Sequence, residues 1–80
     1  MSKILYFTGE WCNPCKILAP TMEKSGLPYQ KIDIDIDTEL SVKYGVRSVP
    51  TLIKVDASGN VISRLVGNNP LEKIQSWYNG

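Results

Sequence analysis

Cysteine occurs twice in this chain, within Trp11-Cys12-Asn13-Pro14-Cys15-Lys16. Thiols at this spacing lie within one helical turn, close enough to close a disulfide and to open it again. A thiol is a useful nucleophile only as its thiolate, which a helix N-terminus favours through unpaired backbone N–H groups and the positive end of the helix dipole. Pro14 points to such a terminus here. It lacks a backbone N–H, which costs a helix least in its first turn, so the spacing predicts a helix beginning at the motif itself. The chemistry on offer is thiol–disulfide exchange, with Cys12 attacking a partner disulfide and Cys15, one turn on, resolving the mixed disulfide. A fixed structural disulfide is the bland alternative. Closing so small a loop stabilises by less than the roughly 3 kcal/mol of a fifteen-residue loop, a weak reason to keep the pair.

Other chemistries fare poorly. The chain has no histidine, and its two cysteines supply half of a structural zinc site. Asp33, Asp35 and Asp37 resemble the start of a calcium loop, but Thr38 stands where that loop needs glycine and Tyr44 where it needs a bidentate glutamate. No metal site is therefore expected. A net charge of +1 argues against nucleic acid or an anionic membrane as an electrostatic partner. No apolar run is long enough to span a bilayer, and the run from Ile4 to Phe7 is too short for a signal peptide. The expectation is a cytoplasmic monomer in a reducing compartment, where a Cys-x-x-Cys is more often catalytic than structural.

Eighty residues, 42% of them hydrophobic and 21% charged, allow a single globular domain over 1–80. An apolar run over 3–8 predicts a buried strand leading into the motif. Ile17, Leu18 and Met22 continue the helix, Pro20 is expected to kink it, and Ser25-Gly26-Leu27-Pro28 ends it. Residues 29–37 alternate, with Ile32, Ile34 and Ile36 on the core side of a second strand. Asp37 or Thr38 caps a short helix to Tyr44, with Gly45 after it. Runs over 51–55 and 61–66 make a hairpin around Asp56-Ala57-Ser58-Gly59-Asn60. Asn69 then caps a last helix with Pro70 at its first position and Leu71, Ile74 and Trp77 as its buried stripe. The order β-α-β-(α)-β-β-α predicts a mixed sheet with helices on both faces and its first two strands parallel.

Three segments together resemble the thioredoxin family. Trp11-Cys12-Asn13-Pro14-Cys15-Lys16 looks like its active-site signature, with Asn13 where glycine is usual. Tyr44-Gly45-Val46-Arg47-Ser48-Val49-Pro50-Thr51 looks like its second signature, and Val66-Gly67 sits where the family has a groove-lining glycine. The resemblance implies an α/β fold: a minimal thioredoxin fold, a four-stranded mixed sheet flanked by helices, lacking the N-terminal strand and helix of full-length thioredoxins. The size and layout also resemble glutaredoxins and small redoxins, some of them encoded by phages and prophages.

It further implies a cis Val49–Pro50 bond facing the dithiol, and a docking surface formed by Trp11, Val49, Pro50 and Gly67. Asn13 and Pro14 would tune the redox potential. The family's buried aspartate, six residues before the first cysteine, is replaced by Tyr6, while its lysine partner corresponds to Lys31. Tyr6, Lys31 or water is then left to relay the Cys15 proton. The resemblance also implies that no cofactor is bound, and that electrons would come from NADPH through thioredoxin reductase and pass to protein disulfides, ribonucleotide reductase being the first client to test. Two rival readings stay open at this point: a glutathione-dependent enzyme and a non-catalytic binding subunit.

Overall fold

The strand that leads into the cysteine motif, β1 (Lys3–Thr8), is buried from Ile4 onwards with no alternation, as a strand covered on both faces must be. It belongs to a computed structural model that describes residues 2–80. After β1 come α1 (Asn13–Ser25), β2 (Tyr29–Asp33), α2 (Thr38–Lys43), β3 (Thr51–Val55), β4 (Val61–Val66) and α3 (Leu71–Asn79). The four strands form one sheet in the order β2-β1-β3-β4. β1 and β2 are parallel, and α1 supplies the crossover that parallel strands require. β3 runs antiparallel to both β1 and β4.

Each face of the sheet has its own core. Ile4, Tyr6 and Leu52 project to one side and meet Leu18 and Met22 of α1 and Ile74 of α3. Leu5, Phe7, Ile32, Ile53 and Val55 project to the other, where Tyr44 closes over them. The alternation of side chains along β1 and β3 divides the two cores. α1 is held in place by Leu18 and Met22, both fully buried, and its first turn therefore stands at the C-terminal end of β1.

Local chemistry sets the ends of α1. Cys12 is its N-cap, and Gly26 ends it at φ 69°, a left-handed conformation that costs glycine least. Ser25, buried beside it, donates to the Met22 carbonyl at 2.6 Å and accepts from the Leu27 N–H at 3.2 Å. The helix runs continuously through Pro20.

Three expectations are corrected. The second strand stops at Asp33 rather than 37, because the chain turns there: the N–H groups of Ile36 and Asp37 both bond the Asp33 carbonyl. Ile34 packs at the edge of the second core, and Ile36 is 78% exposed. Asn69 does not cap α3. Its amide turns back to the carbonyls of Val66 and Gly67, and the N-cap position falls to Pro70, which has no side-chain donor or acceptor. Of the predicted stripe on α3, Ile74 is fully buried, whereas Leu71 and Trp77 are half-buried at its rim. The short helix begins as expected after Asp37, although no side-chain hydrogen bond caps it.

Candidate active site

Cys12 and Cys15 are joined as a disulfide, with Cα atoms 5.2 Å apart and both side chains almost fully buried. Cys12 stands at the helix N-cap in extended backbone geometry, and the Cys15 N–H donates to its sulfur at 3.2 Å. In the dithiol the same N–H is aimed at the Cys12 thiolate, and the helix dipole adds to it. Pro14 occupies the second position of the helix, so the other backbone donor that an N-cap side chain ordinarily meets is missing.

The Val49–Pro50 bond is cis. The Val49 carbonyl lies 3.6 Å from the Cys12 sulfur, across 37 residues of sequence. Pro50 is buried, and its carbonyl accepts the Gly67 N–H at 2.9 Å. The loop before β3 and the end of β4 are thereby tied together beside the disulfide. Cys12, Val49, Pro50 and Gly67, singled out from three separate segments, are linked by these two contacts.

Trp11 is 63% exposed, yet it is not loose. Its indole N–H donates to Asp35 at 2.7 Å. Its ring lies over Gly9, where an added Cβ would come within 3.1 Å of the indole, so a larger residue there would push the ring back by a few tenths of an ångström. The alternation over 29–37 puts Asp35 within the strand, on the side opposite the isoleucines. The chain leaves the strand at Asp33, and the turn after it carries the carboxylate to Trp11. No local pattern marks that partnership, which spans 24 residues.

Behind the disulfide, Tyr6 is 2% exposed and its hydroxyl donates to the Cys15 carbonyl at 3.0 Å. Burial pushes its phenol pKa up from the ordinary 10.0, and a hydrogen bond with Thr8 partly opposes this. Tyr6 is thus a core aromatic that also anchors the first turn of α1. Lys31 lies on the exposed edge strand, paired in register with Tyr6. Both line a pocket behind Cys15. Asn13, exposed at the helix start, faces outward from the motif.

A family model described as Thioredoxin matches residues 2–80. The chain belongs to the thioredoxin family. It is 40% identical to a thioredoxin of Bacillus subtilis, the match covering 91% of this chain and 75% of that protein. Against the mitochondrial thioredoxin of Mus musculus it is 32% identical over 92% of this chain, and it spans about half of that relative, 48%. Among solved structures, a mutant thioredoxin of Halobacterium salinarum superposes with a TM-score of 0.89 at 30% identity, covering 98% of this chain and 72% of that one. The fold is the thioredoxin fold, and the Cys12–Cys15 pair makes the protein a thiol–disulfide oxidoreductase. Thioredoxins carry no prosthetic group: their redox centre is the disulfide itself. Among the described residues, no helix is long and apolar enough to cross a membrane.

Proposed function

We propose that this chain, as a single domain over 1–80, reduces disulfides in client proteins. The observation that carries the reading is Cys12 at the N-cap of α1, its sulfur meeting the Cys15 N–H on one side and the Val49 carbonyl on the other. The Cys12 thiolate attacks a client disulfide, forming a mixed disulfide and expelling one client sulfur as a thiolate. Cys15, as its thiolate, then attacks the Cys12 sulfur. A Cys12–Cys15 bond forms, the bond to the client breaks, and the client leaves as a dithiol. Two electrons have passed to the client, and the two protons lost from Cys12 and Cys15 balance those its sulfurs take up.

Trp11, Val49, Pro50 and Gly67 form the docking surface. An extended client segment lies along the backbone of Val49, strand-addition fashion, with Trp11 covering one end. Asn13 and Pro14 set the potential through the first turn of the helix. Thioredoxin reductase returns the disulfide to the dithiol with electrons from NADPH, in the cytoplasm, the protein acting as a monomer. Ribonucleotide reductase is the client to test first.

One coupled assay tests this reading: NADPH oxidation with insulin as the disulfide substrate, using thioredoxin reductase in one arm and glutathione with glutathione reductase in the other. Turnover in the first arm is expected, along with its loss in Cys12→Ser. Turnover only in the second arm would make the protein a glutathione-dependent enzyme. If a partner's function survived Cys12→Ser combined with Cys15→Ser, the protein would be a binding subunit.

A further inference from the structure

Cys15 must lose its proton before its sulfur can attack Cys12, and a buried thiol gives up a proton reluctantly. On the side of the sheet that α1 covers, parallel strands β1 and β2 set Tyr6 beside Lys31 and Thr8 beside Asp33. Partners in register share a face, and alternate residues return to it. These four side chains therefore lie on the side of Cys15, opposite the face that Phe7 and Ile32 bury. With Cys15 they line a pocket of about 460 Å³, which has room for ordered water.

Five ionisable side chains meet there: Tyr6 from β1, Glu10 from the turn after it, Lys16 from α1, and Lys31 and Asp33 from β2. Tyr6 already commits its proton to the Cys15 carbonyl, and burial holds its phenol neutral. A lysine ammonium has no lone pair with which to accept a proton. Two carboxylates are left. Glu10 is exposed at the mouth. Asp33 is half-buried, and its Oδ1 is held by the Asp35 N–H at 2.8 Å, which leaves Oδ2 free.

We propose that Asp33 accepts the proton of Cys15 through water in this pocket. This rests on the reading of Cys15 as the resolving thiol. In the step, the Cys15 S–H bond breaks and its proton passes through water to Asp33. The thiolate then attacks the Cys12 sulfur, the client thiolate leaves, and Asp33 returns the proton to solvent or to that thiolate. The charged groups that face Asp33 are Lys31, Lys16 and Glu10, which line the same pocket, and Asp35 from the turn after β2.

The test uses an aromatic disulfide reporter whose thiol product absorbs visible light, followed by stopped flow across a pH series. Attack by Cys12 releases one chromophore, and resolution by Cys15 releases the second. Cys15→Ser must give the first release and withhold the second; if it gives both, the reading of Cys15 fails before Asp33 is in question. With that established, Asp33→Asn should leave the first phase within about twofold and slow the second by about tenfold or more near neutral pH. The two profiles should converge in alkali, where hydroxide deprotonates Cys15 directly. The introduced amide keeps an oxygen for the Asp35 N–H, so the turn is preserved, and Asp33→Glu should restore much of the rate. The proposal is overturned if the second phase of Asp33→Asn follows the wild type at every pH. It is equally overturned if that phase falls by the same factor throughout, or if Glu10→Gln reproduces the loss and Asp33→Asn does not.

Discussion

Replacing Pro14 by alanine should make the disulfide more oxidising, by an amount that follows from the first turn of α1. An N-cap side chain accepts from the backbone N–H at the second or third helical position. Here the third, from Cys15, is engaged at 3.2 Å, and the second belongs to Pro14 and carries no hydrogen. Pro14→Ala restores that donor beside the Cys12 thiolate. One more N–H on a charged acceptor at a helix terminus contributes about 1.4 kcal/mol. That corresponds to about one pH unit in the ionisation of Cys12. It corresponds equally to about 30 mV in a two-electron couple.

The sign follows from which state gains. The added donor stabilises the reduced, thiolate form, so the potential becomes less negative, fully above the ionisation of Cys12 and progressively less below it. Loss of proline also frees the unfolded chain, worth about 0.4–1 kcal/mol, but this is common to both redox states and cancels in the potential. Equilibration against a reference dithiol measures the potential, and the pH midpoint of Cys12 alkylation measures the thiolate. Both should move together. A potential that stays put or becomes more negative while the alkylation midpoint falls would refute the argument, because thiolate stabilisation would then not control the poise.

Tyr6→Phe removes the hydroxyl that donates to the Cys15 carbonyl and should cost about 1 kcal/mol near neutral pH by urea titration. Burial raises the phenol's pKa in the folded state, so its contribution is complete below the ordinary value of 10.0 and is lost as pH rises past the folded value; the gap between wild type and variant should shrink in alkali, and a constant gap would contradict it. Asp35→Ala should release the Trp11 indole, lowering its fluorescence anisotropy while shifting stability by less than about 1 kcal/mol, since the pair is exposed. Ile74→Ala empties a fully buried position between α3 and the sheet and should cost about 2–5 kcal/mol, read as a lower urea midpoint with an unchanged redox potential.

The reactive pair is legible in the sequence because its chemistry is local. Two cysteines at this spacing and a proline between them require a helix to begin there, and Cys12 is indeed the N-cap. The strands at 3–8, 51–55 and 61–66 are legible for a related reason: each is a short apolar or β-branched run closed by turn residues, the first two buried in the sheet and the third its largely exposed edge. The second strand ends four residues before its pattern does, because alternation alone does not say where a chain turns. Ile34 and Ile36 continue the period, but the Asp33 carbonyl captures two N–H groups and ends the strand. Asn69 departs from its expected role because a side chain that can cap forward can equally bond backward, and the choice depends on the loop it closes.

By itself, then, the sequence determined the thiols, the helix that positions them and the α/β order of the elements. Family resemblance, not local pattern, pointed to Val49, Pro50 and Gly67; the contacts made around the thiols were decided by the tertiary structure. The Val49 carbonyl reaches the Cys12 sulfur, Gly67 ties to Pro50, and Asp35 holds Trp11, each across a separation that no local pattern encodes. The register of β1 with β2 makes the same kind of decision for Asp33. A parallel pairing shifted by one residue would turn that carboxylate to the other face, away from Cys15.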